Sequence, residues 1–335
     1  MKIFLTGGSG YFGSILAPLL CSDGHDVRIL DLSTPDYDLT ERAVFMQGDF
    51  SQCKSEWLEG TDAVIHLAAF SNDRSADADP EAAWRVNVLA SEALIEACQR
   101  ARVPRFIQAS TCSVYGWQPT IESDEESPAV PVGNYAQSKF ALEQALHRAT
   151  SPDFCVFILR KPTLHGWSPR MRTDVVVNSM LRWALTTGII PVHNPEVWRP
   201  VLHVRDAAHA YLCALAAPKE MAGVYNVHFA NYRLIDIALE VQSALREKGW
   251  EIEVQVESQG MPMSYRVRSE KMRQRLRFNP TWSVKSSVHE MVEHAFALKK
   301  SGHPGPPESP NTRCCFRILD LLSEKRSITC VGSHR

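Results

Sequence analysis

The stretch that most limits how this chain can fold is its opening, Met1-Lys-Ile-Phe-Leu-Thr-Gly-Gly-Ser-Gly-Tyr-Phe-Gly13. Lys2 to Thr6 is a short apolar run ending in glycines, the pattern of a buried strand meeting a tight turn. Tyr11 to Cys21 follows with Ile15, Leu16, Leu19 and Leu20 at helical spacing, so the order is strand, glycine turn, helix. Gly8, Gly10 and Gly13 satisfy G-x-G-x-x-G, while Gly7, Gly10 and Gly13 satisfy G-x-x-G-x-x-G. Backbone without Cβ lets the amides of a helix start approach a pyrophosphate and share the helix dipole. A glycine-rich turn alone is common. Between a strand and a helix it reads as a dinucleotide site, with Gly7, Gly10, Tyr11, Phe12 and Gly13 as its contacts.

The next strand provides an independent check. Asp26-Val-Arg-Ile-Leu-Asp31 is apolar and ends on an acid, at about the twenty-residue spacing expected of a ribose-binding carboxylate. Such a group accepts hydrogen bonds from both adenosine ribose hydroxyls and repels a 2′-phosphate, which favours NAD over NADP. A solvated acid at a strand end is the plain alternative, and Arg28 could soften the discrimination. Further strands read at Ala43–Asp49, Thr61–Ala69, Arg105–Ser110 and Phe154–Arg160, with helices at about 80–102 and 134–149. The repeated β-α order predicts an α/β fold, a Rossmann-like doubly wound parallel sheet with helices on both faces. Ligands then bind outside the carboxyl ends of the strands. Asp49 and Phe50 stand at one such end, where Asp49 could bond the adenine amino group or simply make a turn. Leu67, Ala68 and Ala69 are small or apolar where a cofactor would cross. Asn87, polar inside a helix, reads as a bridge near the site or as part of a solvated face.

Composition narrows the class. A net charge of -2 with mixed signs leaves no electrostatic footprint for nucleic acid or an anionic membrane. No apolar run approaches the ~20 residues of a membrane span. The amino terminus enters a core strand at once, leaving no room for a signal peptide. The nine cysteines are dispersed, without a C-x-x-C pair or metal-ligand spacing, so no metal is expected and a reducing, cytoplasmic location is.

The chemical signal is Tyr135-Ala-Gln-Ser-Lys139. On a helix, positions i and i+4 share a face, so phenol and ammonium can converge. A phenol of ordinary pKa, roughly 10, is a poor base at neutral pH. A neighbouring ammonium and an oxidised nicotinamide would both stabilise the phenolate. Upstream, Ser110-Thr-Cys-Ser-Val-Tyr-Gly116 places hydroxyls at a strand end, where one could orient a reacting hydroxyl.

Together, the glycine turn, Asp31, His66-Leu-Ala-Ala69, the Ser110–Gly116 run and Tyr135/Lys139 resemble an extended short-chain dehydrogenase/reductase. More narrowly, they resemble the NAD-dependent epimerase/dehydratase family acting on nucleotide-activated sugars. The resemblance covers about residues 1–298. It implies Thr111 as the catalytic hydroxyl, Tyr135 as base and Lys139 on the nicotinamide ribose. Leu159–Gly166 resembles the family's segment beside the nicotinamide, bringing in Pro162, with His165 as a packing residue in place of the usual tyrosine. Asn178 falls where the family contacts the substrate diphosphate. Trp198–Asp206 resembles its R-x-x-x-H-V-x-D stretch, making Arg199 a phosphate ligand, a role suited to a planar guanidinium. A further family arginine is replaced by Met263, for which Arg266 or Arg268 could substitute. The family's 4,6-dehydratases carry an Asp-Glu pair after the catalytic threonine. Here Cys112 and Ser113 occupy those substrate-facing positions, which disfavours dehydration and leaves Cys112 as a thiol acid/base or an inert buried group.

The expectation is thus an NAD-dependent nucleotide-sugar epimerase working through a keto intermediate. The alternatives are a dehydrogenase, reductase or dehydratase of the same family and a non-catalytic dinucleotide sensor. Residues 1–165 are expected to bind NAD, with returning segments near 201–228, and 166–298 to form a smaller substrate-binding lobe. Residues 299–335, rich in Pro and Gly at the start, read as a flexible tail. Helices 80–102 and 134–149 are candidates for pairing in a homodimer, as the family commonly does.

Overall fold

The protein is described here by a computed structural model covering residues 1–257 and 263–300. The tail expected from 299 onward therefore lies, past Lys300, outside the described residues. Five strands open the chain: β1 (Lys2–Thr6), β2 (Asp26–Asp31), β3 (Ala43–Gln47), β4 (Ala63–His66) and β5 (Arg105–Thr111). With Cys155–Lys161 and Gly223–Asn226 they form a seven-stranded sheet. Its order is Gly223–Asn226, Cys155–Lys161, β5, β4, β1, β2, β3, and every pairing is parallel. The chain leaves β1 in one direction toward β2 and β3 and returns on its other side through β4. A crevice opens at that reversal, outside the carboxyl ends.

Both faces of the sheet are covered, which is why its strands read as nearly unbroken apolar runs. Ile3 and Leu5 of β1 pack toward Leu16 and Leu20 of α1 (Gly13–Ser22) and Tyr211 of helix Val204–Ala216. Phe4 points the other way, into a core with Leu94, Leu142 and Leu146 from helices Ser91–Arg100 and Asn134–Ala149. A separate core joins helices Val176–Thr187, Leu234–Arg246 and Val284–Lys300 through Val177, Leu181, Ile237, Val241 and Val288. A small strand, Tyr265–Val267, pairs with Gln118–Ser123 and carries Tyr265 to the crevice.

The helix expected over 80–102 is interrupted. It runs Pro80–Trp84, opens into a π-helical turn at Arg85–Ala90, and resumes at Ser91–Arg100. Asn87 sits in that turn, buried. Its Oδ1 accepts from the Phe70 amide at 2.8 Å and its Nδ2 donates to Ser138 Oγ at 3.0 Å. A single-turn widening of this kind is characteristic of helices that meet a functional site.

Helix Asn134–Ala149 is fastened to the sheet by a buried ion pair. Arg160 Nη2 donates to Glu143 Oε2 at 2.6 Å and its Nε to both carboxylate oxygens at 3.1 Å. Ser110 donates to the same carboxylate. The other guanidinium nitrogen donates to Tyr115 Oη at 2.9 Å, and Tyr115 donates onward to Asn226 at 2.7 Å. Every polar group in the network thus has a partner, the condition under which a buried pair is tolerated. Replacing Glu143 with Ala strands the guanidinium, and about 3–5 kcal/mol of unfolding free energy should be lost. Urea unfolding checks this. A loss below about 1 kcal/mol would contradict a closed network.

Candidate active site

A cavity of about 830 Å³ follows the carboxyl ends of the strands. One end is lined by Asp31, Asp49 and Phe50, and the middle by Gly7, Gly10, Tyr11, Phe12, Gly13, Leu67, Ala68 and Ala69. The other end holds Thr111, Ser113, Tyr135 and Pro162, four positions read from the sequence, together with Lys161, Arg172 and Tyr265, which were not. Those three missed the reading for different reasons. Lys161 fell just past the strand read at Phe154–Arg160, inside the Leu159–Gly166 segment but not singled out, and the other two are brought in from distant segments.

The glycines divide by role. Gly7 has φ +76°, and a Cβ there would stand 2.6 Å from the Ala68 amide nitrogen. A Cβ on Gly13 would run into the Gly7 carbonyl oxygen. A Cβ on Gly8 would meet the Ile29 side chain at 2.6 Å, so this glycine serves packing on β2, and the triplet at the crevice is Gly7, Gly10 and Gly13. Gly10 differs from them all: a Cβ would find only the Gly7 oxygen, at 3.4 Å. The fold barely requires its bareness, whereas a ligand lying against the start of α1 would. At the acidic end, Asp31 accepts from the Ser9 amide at 2.9 Å and the Ser33 amide at 3.1 Å. The carboxylate is held facing the cavity with lone pairs to spare. Asp49 also lines the cavity while capping the next turn through the Ser51 amide at 2.9 Å. A cradle without Cβ at a helix start, followed by an acid on the next strand, fits a dinucleotide.

At the opposite end Tyr135 and Thr111 line one stretch of the wall, near enough for the threonine hydroxyl to favour the phenolate. Thr111 Oγ1 accepts from the Ser113 amide at 3.2 Å and donates to Ser113 Oγ at 3.2 Å. Burial pushes the Tyr135 phenol up to about 12, against a smaller lowering by the Thr111 hydroxyl and by Arg172. The bare protein therefore does not make Tyr135 a base; positive charge must be added beside it. Lys139 lies one turn along the same helix, 3 % exposed, and does not line the cavity surface. Burial lowers its ammonium to about 8, and Glu143 opposes that shift.

Several expected contacts are placed elsewhere. Cys112 is fully buried and donates to the Arg160 carbonyl at 3.1 Å, and burial raises its thiol well above the ordinary range. It packs and does not line the cavity, so only Ser113 of that pair is presented to a substrate. Asn178 is also buried: Oδ1 accepts from the Gly166 amide at 3.1 Å, and Nδ2 donates to Tyr11 Oη at 3.2 Å and the Arg172 carbonyl at 2.8 Å. Its amide braces the Tyr11–Gly166 region instead of facing a diphosphate. Asn87, likewise, braces Phe70 from behind. Arg199 donates to the Trp198 carbonyl at 2.9 Å and to the Met263 carbonyl, with its guanidinium 5.5 Å from the Tyr265 ring centroid. Arg266 lies over Trp198 and donates to the Thr120 carbonyl at 3.2 Å, while Arg268 pairs with Asp124 at 2.6 Å. None of the three arginines lines the cavity. His165 is a packing residue as expected, bonded to Ser287 Oγ at 2.9 Å. Among the described residues no cluster could hold a metal ion, and no helix is long and apolar enough to cross a membrane.

A family model described as the NAD dependent epimerase/dehydratase family matches residues 3–227, and the chain belongs to that family. It is therefore an enzyme, and its cofactor is NAD. Among curated proteins it is 29% identical over 325 residues to a dTDP-glucose 4,6-dehydratase of Streptomyces niveus, covering 88% of this chain and 92% of that one. It is 27% identical over 336 residues to a UDP-glucose 4-epimerase of Lacticaseibacillus casei, covering 91% and 98%. Among solved structures it is similar to MoeE5 in complex with UDP-glucuronic acid and NAD, with a TM-score of 0.78 and 25% identity over 89% of this chain and 99% of that one.

The contrast between glycines is testable. Gly10→Ala should change unfolding free energy by no more than about 0.5 kcal/mol while weakening NAD binding at least tenfold. Gly13→Ala should destabilise the fold outright. Denaturant unfolding and calorimetry on both variants check this, and an unimpaired NAD affinity for Gly10→Ala would contradict the assignment.

Proposed function

We propose that the protein is an NAD-dependent epimerase of a nucleotide-activated sugar. The observation that carries this reading is the hydroxyl pair Thr111–Tyr135 at the cavity wall, with the adjacent Cys112 withdrawn into the core. An epimerase needs one proton acceptor, one orienting hydroxyl and room for a sugar to turn. It does not need the added acid and base that removal of water demands. NAD, when bound, accepts hydride from a ring carbinol and returns it to the opposite face of the keto sugar. Thr111 orients the carbinol hydroxyl, Tyr135 takes its proton, and the same phenol gives the proton back. The buried Lys139 ammonium stabilises the phenolate from one turn away. Asp31 selects the cofactor by accepting from ribose hydroxyls.

A second reading has one observation in its favour. Asp73 lines the cavity, interacts electrostatically with Tyr135 and Tyr265, and has its carboxyl pKa raised by burial and by Asp77. A carboxyl on the cavity wall whose pKa is raised by burial could serve as the acid for dehydration. Incubating the purified protein with UDP-, GDP-, CDP- and dTDP-sugars, and resolving products by NMR, separates the two. An epimer supports the first reading and a deoxy-keto sugar the second. Tyr135→Phe should lower turnover at least a hundredfold with NAD affinity unchanged within about twofold. Near-normal turnover would defeat the assignment of the base.

A further inference from the structure

Lys161 is the last residue of its strand and is in register with Thr111 on β5, so the two backbones stand one strand spacing apart, about 4.8 Å, with both side chains on the same face. It lines the same cavity. Its Nζ lies 4.4 Å from the centroid of Phe12 and 5.5 Å from that of Tyr211, two rings that also face each other at 5.1 Å. Rings of this kind attract a cation through their negative faces but do not neutralise it. Among the described residues no carboxylate pairs with it. The charged group nearest in effect is Lys139 of helix Asn134–Ala149, which is of the same sign. From helix Val204–Ala216 it meets the Tyr211 phenol, from the glycine turn Phe12, and from β5 Thr111, none of them an anion. A cation without a counter-ion is thus held at one end of the cavity.

That end is fixed by the other. Asp31 marks the adenosine side, and from β2 to the strand of Lys161 there are four strand steps, about 19 Å. Lys161 therefore belongs to the hydride end, with Thr111 and Tyr135. Oxidation of a carbinol there moves a hydride from carbon onto the pyridinium, turning a cationic ring into a neutral one, while the hydroxyl proton passes to Tyr135. A fixed positive charge nearby raises the free energy of the cationic ring and leaves the neutral ring almost unaffected.

We propose that Lys161 sets the redox preference of the bound cofactor, favouring the reduced over the oxidised nicotinamide and so drawing the first half-reaction toward the keto intermediate. This inference rests on the proposed seating of NAD, with adenosine at Asp31 and nicotinamide beside Thr111 and Tyr135; it holds whether the product is an epimer or a dehydrated sugar. Burial and the like charge of Lys139 lower the Lys161 ammonium to about 7, so the preference is present below that pH and fades as pH rises through it. Lys139, lowered by burial to about 8, loses its proton above Lys161 and so contributes its own change near the top of the range.

The test measures dissociation constants for NAD+ and NADH by calorimetry, from pH 6 to pH 8.5, for the wild type, Lys161→Met and Lys161→Arg. In the wild type the ratio of the NAD+ to the NADH constant should fall several-fold across the range. Lys161→Met should lower the ratio about tenfold at pH 6, equivalent to about 30 mV for a two-electron couple, and abolish its change between pH 6 and pH 7.5. Lys161→Arg, charged throughout, should keep the ratio high at both ends. A ratio unchanged in Lys161→Met, or lowered equally in Lys161→Arg, overturns the inference. Failure of the wild type to bind either cofactor overturns instead the cofactor assignment itself.

Discussion

The arrangement depends first on the buried pair of Arg160 and Glu143. Glu143 lies two turns beyond Tyr135 on one helix face, with Lys139 between them, while Arg160 immediately precedes Lys161 on the strand beneath. A desolvated ion pair is costly to form and contributes little net stability unless every remaining donor is used. Here Ser110, Tyr115 and Asn226 close the network. The pair fixes the rotation of the helix against the sheet. That rotation decides whether the phenol of Tyr135 meets Thr111 or solvent. The same carboxylate also counteracts the loss of charge on Lys139, so one group sets both geometry and protonation.

The glycine turn does the corresponding work at the other end. Gly7 and Gly13 let the start of α1 fold against β1 and β4 closer than any Cβ would permit. Tyr11, within that turn, donates to the Gly166 carbonyl at 2.8 Å, and Ser14 bonds Ser168 at 2.7 Å. The first turn of the chain is thereby stitched to the segment that leads into helix Val176–Thr187. The cavity has both walls because of these contacts.

Much of this was legible in the sequence because it depended on local pattern. The helix at 134–149 and the strand at 26–31 have the bounds read from periodicity, and the dinucleotide residues from Gly7 to Ala69 line one cavity. What failed was the inference from residue type to exposure. Asn178 carries chemistry that a site could use, yet its polar atoms are consumed by Gly166, Arg172 and Tyr11, while Cys112 follows the buried, inert reading that the sequence also allowed. Arg199 and Arg266 were placed by resemblance, but neither lines the cavity: Arg199 is turned to two carbonyls and the Tyr265 ring, Arg266 to the Thr120 carbonyl and Trp198. The π-helical turn around Asn87 left no trace in the pattern, since one added residue per turn does not disturb a short apolar stripe. Lys161, conversely, lay one residue past the strand as read; the strand runs on to include it and turns its side chain to the cleft.

Charge along the cavity is the remaining consequence of these placements. Acids gather at one end, Asp31 and Asp49, where neutral ribose and base offer hydrogen-bond donors. The start of α1 lies in the middle, where backbone amides favour anions. The far end is mixed, with Lys139 behind the wall, Lys161 on it without a carboxylate partner, Arg172 held to Asp174 at 2.6 Å, and Asp73 near Tyr135. A dinucleotide has the same polarity, from donor-rich ribose through doubly anionic pyrophosphate to a ring whose charge changes during the reaction. Only that last part meets positive charge that does not vary with it. The field at the far end therefore acts on the reaction rather than on binding alone, because it distinguishes two states of one ring that are otherwise nearly the same shape.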